Sequence, residues 1–142
     1  MPDRMTLAEL RTLVAARTPA KSRKPDGSVP TGVRAIDDVL GGGLPAGQLT
    51  ELVSAGPGSG GQTVLAQLLR ATRGAQQRIA LIDGADGFAP EAVPADSLRH
   101  LVWVRTHTPD RAMAAADLLV RDGNYAVVVL DLRGLSERAL LQ

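Results

Sequence analysis

Four of the ten residues from Ser54 to Thr63 (SAGPGSGGQT) are glycine, and the run sits between a strand-like stretch, QLTELV (48–53), and TVLAQLLRAT, which reads as a helix. In the latter, Val64, Leu65, Leu68 and Leu69 recur at the spacing of one helical face. A strand, a glycine loop and a helix in that order let backbone N–H groups curl around a phosphate at the helix N-terminus. In the phosphate-loop pattern GxxxxGK[ST] the glycines allow the curl, the lysine neutralises the phosphates, and the hydroxyl residue ligates magnesium. Here the segment runs through Gly56, Pro57, Gly58, Ser59, Gly60 and Gly61, with Thr63 at the hydroxyl position and Gln62 where the lysine belongs. A register one residue earlier puts Gly61 at the lysine position and Gln62 at the hydroxyl position, so neither register holds a lysine. A glutamine amide donates one hydrogen bond but carries no charge. Loss of one such donor typically costs on the order of 100-fold to 1,000-fold in phosphoryl-transfer rate.

The rest of the chain alternates short apolar runs with helical patterns. Thr6 and Glu9 form a capping box, and Leu7, Leu10, Leu13 and Val14 make one apolar stripe, so residues 1–17 are expected to carry an amphipathic interaction helix. Residues 18–30 contain three prolines and no apolar periodicity and read as a linker. A core is expected over 31–142, where Val33, Ile36, Val39 and Leu40 mark a short helix that stops at the glycines from Gly41. RIALID (78–83), LVWV (101–104) and YAVVVLDL (125–132) read as strands. The last is nearly all apolar, as expected of a central parallel strand covered on both faces. Thr108, Pro109 and Asp110 mark a helix start ahead of Ala112, Met113, Ala116, Leu118 and Leu119. Alternating strands and helices predict an α/β fold of three layers with a mostly parallel sheet, whose ligands bind beyond the carboxyl ends of the strands. The glycine loop and Asp131 both fall at such ends. A sheet ending on so strong a strand also suggests a truncated core.

Composition removes several classes of function. The 142 residues include no cysteine, so a disulfide framework, a thiol nucleophile and a cysteine zinc site are excluded. His100 and His107 have no second ligand at metal spacing and read as packing or surface residues, and no protein-held metal is expected. Phe88, Trp103 and Tyr125 are the whole aromatic complement, too few to stack single-stranded nucleic acid, and Trp103 is expected in the core. Charges at positions 3, 4, 9 and 11 break any signal-peptide core, and no run of 18 apolar residues exists, so no membrane partner is expected and the default location is the cytoplasm. The net charge of +1 conceals seven Lys/Arg against three Asp/Glu in residues 1–34. Lys21, Arg23 and Lys24 among prolines read as a solvated linker, with weak contact to DNA phosphates open only at low salt.

In order and spacing, TGVRAIDDVLGGGLPAGQLTELVSAGPGSGGQT, RIALIDGADGFAP and LVWVRTHTPDRAMAAADLLVRDGNYAVVVLDL resemble the N-terminal half of the RecA-type ATPase core over residues 31–132. LTELVSAGPGSG and LVWVRTHTPDRAMAAADLLVR are most similar to the ImuA branch, the RecA-like accessory proteins of bacterial mutagenic translesion synthesis, with SulA, the cell-division inhibitor, more distant. The resemblance implies a RecA-like fold with a degenerate phosphate loop, Thr63 as the magnesium-linked hydroxyl and Asp131 as the Walker B acid. Gln62 replaces the lysine, and Ala85 falls where active relatives carry the glutamate that activates water. Asp86, one residue on, is a weak substitute. Eleven residues after Asp131 leave no room for the DNA-binding loops of the type, and the N-terminal helix matches the arm with which such subunits dock on neighbours.

These features imply a non-catalytic RecA-like accessory protein in SOS-type DNA damage tolerance, with ATP and magnesium binding weak or absent. The resemblance makes an ImuB-like polymerase homologue and RecA the expected partners, any DNA contact weak or indirect, and nucleoid association compatible with a cytoplasmic location. Two alternatives stand beside it: a divergent or partner-activated ATPase, and a SulA-like inhibitor.

Overall fold

A computed structural model describes residues 27–56 and 58–133. The expected N-terminal helix with Leu7, Leu10, Leu13 and Val14, most of the linker, Pro57 and the segment after Arg133 lie outside the described residues. Chain order is β1 (Ser28–Val29), α1 (Arg34–Val39), β2 (Leu44–Pro45), α2 (Gly61–Gly74), β3 (Ile79–Asp83), β4 (Leu101–Arg105), α3 (Pro109–Asp122) and β5 (Val127–Asp131), with two short 3-10 turns between β3 and β4.

The sheet is organised around β3, whose five residues IALID are all buried, none above 1% exposed. It pairs in parallel with β4 on one side and β5 on the other, so that Leu101, Ile79 and Val127 stand abreast at one end and Arg105, Asp83 and Asp131 at the other. Side chains alternate between the two faces. Ile79 and Leu81 pack with Leu68 and Leu69 of α2, Phe88 and Val29, while Trp103, Val127 and Val129 flank that cluster. On the opposite face Ala80 and Ile82 are fully covered, as is Ala112 of α3, which contacts β3 and β5. The expected three-layer parallel α/β arrangement is therefore present.

The helix boundaries follow their local chemistry. Thr108 caps α3 by accepting from the Arg111 N–H at 3.4 Å, Pro109 fills the first helical position, and Gly123 ends the helix at a φ of 75°. Between α1 and β2, Gly43 adopts a φ of 142°, and a β-carbon there would lie 2.4 Å from the Val29 carbonyl oxygen. Only glycine lets β2 approach β1 so closely.

Three sequence expectations change. QLTELV is not a strand: Leu49 is 98% exposed and Val53 85%, because no neighbouring strand among the described residues supplies a ladder for it. A run of β-forming residues is stable as a strand only against a partner. The strongly apolar β5 is an outer strand of the described sheet, as β4 is, and only half-buried; β3 takes the central place. Val39 does not join the apolar face of α1, being 86% exposed at the end of a six-residue helix. In addition, Val29 is buried in the core, so packing begins slightly before Thr31.

His100, expected to be a packing or surface residue, ties the start of β4 to α2. The Thr72 hydroxyl donates to the Leu68 carbonyl at 2.8 Å, so the 2.7 Å contact between Thr72 and His100 uses an Nε2–H donor, leaving buried Nδ1 unprotonated and unpaired. Burial first, then the positive charge of Arg73, holds the His100 pKa below its usual value, with Asp96 opposing. A group neutral in the folded state and protonated in the unfolded one lowers stability as pH falls through its unfolded pKa, about 6.5. Urea-unfolding midpoints of the wild type should therefore drop between pH 7 and pH 5, and His100→Gln should flatten that window. The pKa values of Asp37, Asp96 and Asp131 are held below that of a free aspartate, so their contributions are lost only at more acidic pH.

Candidate functional site

The glycine loop lies at the carboxyl end of the sheet and runs into the N-terminus of α2. Gly60 takes the left-handed conformation at a φ of 96° and precedes the helix without a side-chain cap, and the first turn of α2 has no acidic residue. Upstream, the Ser59 hydroxyl and N–H both bind the Gly56 carbonyl, at 2.5 and 3.2 Å, closing the loop into a turn. Gly56, Gly58, Ser59, Gly60, Gly61, Gln62 and Thr63 line a shallow pocket of about 160 Å³, and the remaining lining residue is Arg133. The structure thus brings the described residues of the sequence-marked loop together around one cavity.

Strand alternation that sends Leu81, Trp103 and Val129 toward α2 also places Asp83, Arg105 and Asp131 on that side, where the strands end. Each acid has a distinct environment. Asp83 is 1% exposed; its carboxylate accepts from the N–H groups of Gly87 (3.0 Å) and Phe88 (3.1 Å) and from the Trp103 indole (3.3 Å). Trp103, expected in the core, is half-buried and edge-on to Phe88, with the Arg105 guanidinium over its ring. Asp83 therefore holds the turn after β3 in place.

The resemblance makes Asp131 the Walker B acid, sharing a site with the magnesium-linked hydroxyl of Thr63. Instead it is held by Arg133: Nε lies 2.9 and 3.1 Å from the two carboxylate oxygens, Nη2 lies 2.5 Å from one, and the Arg133 backbone N–H donates at 3.1 Å. Burial pushes the Asp131 pKa up, but the hydrogen bonds and charge of Arg133 outweigh it, and the net direction is down. The Arg133 pKa moves up, through its bond to Asp131 and the added charges of Asp131 and Asp83. Its side chain extends to the loop, where a β-carbon on Gly61 would lie 3.7 Å from Nη1 and one on Gly87 3.7 Å from Nη2.

Gln62 is also engaged within the chain, its amide donating to the Gly87 carbonyl at 3.1 Å. The lysine position thus links the glycine loop to the turn that Asp83 organises. Asp86, considered as a displaced general base, is paired with Arg105 at 2.6 Å. Ala85 supplies no ionisable group. Thr63 is exposed. His107 is exposed and away from these contacts, and among the described residues no group of three or more His, Cys, Asp or Glu side chains could hold a metal.

Sequence reasoning missed two residues. Asp83 closes an apolar strand just as Asp131 does, a signal present in RIALID. Arg133 lies two residues beyond Asp131, a spacing that returns its side chain to the same side of an extended segment.

A parallel sheet flanked by helices, with a glycine loop entering one of them at its carboxyl end, makes this an α/β protein. Sequence similarity then narrows the class. The chain is 38% identical over 120 residues to Protein RecA of Acidothermus cellulolyticus, covering 78% of this chain and 33% of that protein. It is 37% identical over 118 residues to Protein RecA of Mycobacterium marinum (77% and 32%) and 36% identical over 124 residues to that of Clavibacter michiganensis (81% and 32%). No protein-family model matches. The chain spans about a third of the length of the curated relatives it matches. Fold and similarity together make this a RecA-like chain.

Replacing Asp83 by alanine leaves the buried Phe88 N–H unpaired and frees the part-buried Gly87 and Trp103 donors, at a cost of about 1–3 kcal/mol of stability by the usual penalty for an unpaired buried group. Urea unfolding followed by Trp103 fluorescence should show that loss. A change below about 1 kcal/mol would mean that the turn is held by other contacts.

Proposed function

We propose that this chain is a non-catalytic, RecA-like accessory protein that works by protein–protein contact in SOS-type DNA damage tolerance and mutagenic translesion synthesis, as the ImuA branch does. One observation carries the non-catalytic part: the groups that would handle a nucleotide are spent inside the chain. Gln62 stands at the lysine position and bonds the Gly87 carbonyl, while Asp131 is forked by Arg133. Ala85 stands where the water-activating glutamate belongs. Two independent catalytic parts are missing, and each alone lowers phosphoryl transfer by orders of magnitude.

Contact as the mode of action draws on a different feature. Leu49, Leu52 and Val53 are 98, 61 and 85% exposed in one short segment beside the glycine loop. Clustered exposed apolar residues mark interaction surfaces more often than isolated ones do. By the same resemblance the partners are an ImuB-like polymerase homologue and RecA itself, in the cytoplasm, with DNA contacted weakly or through them.

The purified chain with ATP and magnesium should release phosphate at no more than the buffer rate, and Gln62→Lys alone should not restore turnover, because Asp131 and position 85 remain unsuited. Hydrolysis well above background that disappears in Asp131→Asn would instead establish the divergent ATPase. In pull-downs the polymerase homologue should be retained and Leu52→Asp should reduce its capture. Retention of a cell-division protein in its place would favour the SulA-like alternative.

A further inference from the structure

A phosphate loop followed by a strand-end acid implies a magnesium ion, ligated through Thr63 and answered by Asp131. The residues present do not fit it. Both oxygens of Asp131 are engaged by Arg133, through Nε at 2.9 and 3.1 Å and Nη2 at 2.5 Å, with a fourth bond from the Arg133 backbone N–H. The side chain of Asp131 is only 15% exposed, and the guanidinium lies directly on its carboxylate. That guanidinium also reaches across to Gly61 and Gly87, the two sides of the gap between loop and sheet, and forms part of the wall of the loop pocket.

We propose that Arg133 is the resident cation of this site: it holds Asp131 as a fixed counter-ion, stands where a divalent metal would have to enter, and makes the site metal-excluding. The physical reasons are two. A bidentate guanidinium–carboxylate fork uses the oxygen lone pairs that a metal needs and is among the stronger charged pairs. A fixed positive charge within about 4 Å also repels a dication, weakening its binding roughly tenfold or more even at the dielectric of water. The positive charge that the loop lacks through Gln62 is thus supplied from the other side of the cavity and directed at Asp131. The consequence is an electrostatically balanced site that needs no ion to stabilise its acid.

Manganese can report this on the isotope-labelled full chain, because it broadens amide resonances near its binding site. Titrated into the wild type, Mn2+ should broaden Gly60, Gly61 and Gly84 no more than amides beside the exposed acids Glu51 and Asp110. In Arg133→Met, the same glycines should broaden at Mn2+ concentrations lower by about tenfold or more, the effect of removing one neighbouring charge, and Arg133→Met/Asp131→Asn should abolish the gain. Selective broadening at the site in the wild type would overturn the proposal, as would an Arg133→Met variant that behaves like the wild type. The wild-type titration decides the matter alone if the variants fold poorly. Metal binding without hydrolysis would refute a metal-excluding Arg133 while leaving the non-catalytic function intact, so the two failures are distinguishable.

Discussion

Everything at the carboxyl end of this sheet is placed by the two-sided pairing of β3. Its five residues exchange ladder bonds with β4 and β5 and are closed off from water on both faces, so the strand has no freedom to slip. A slip of one residue would turn Ile79 and Leu81 from the α2 side to the α3 side and carry Asp83 out of its bonds. With the register fixed, Arg105, Asp83 and Asp131 end abreast, and the fates of the two acids differ by what surrounds them. Asp83, inside, has its hydrogen bonds satisfied by three N–H donors. Asp131, at an outer strand, is neutralised by a cation.

From those two acids the site closes by successive contacts. Asp83 fixes the turn at Gly87 and Phe88; the Gly87 carbonyl receives the Gln62 amide; and Arg133 bridges Asp131 toward Gly61 and Gly87. In a phosphate-binding site the loop, the turn and the strand-end acid would converge on a ligand. Here they converge on one another. The glycine loop keeps its left-handed Gly60 and its uncapped helix N-terminus, features set by backbone conformation, while the side chains that would make use of them are paired elsewhere in the chain.

Much of the layering was legible from sequence, because periodicity reports which face of an element is covered. The pattern of Val64, Leu65, Leu68 and Leu69 placed α2, Thr108 and Pro109 placed the start of α3, and the apolar runs placed three strands. Strand order was not legible: β5 has the strongest apolar run yet lies outermost, since hydrophobicity does not say which neighbour a strand takes. QLTELV shows the same limit, its β-forming residues having no described partner. The site was half legible. Missing groups, such as the lysine and the glutamate, can be read from a motif; replacement contacts cannot, because Arg133 and Gly87 reach the loop only through the fold. A site that looked stripped of its cation has one supplied from the end of β5.

The proposed loss of nucleotide binding is measured directly by calorimetry. Millimolar ATP with magnesium, titrated into the chain, should give no saturable heat beyond dilution. A saturable heat that vanishes in Asp131→Asn would contradict a closed site.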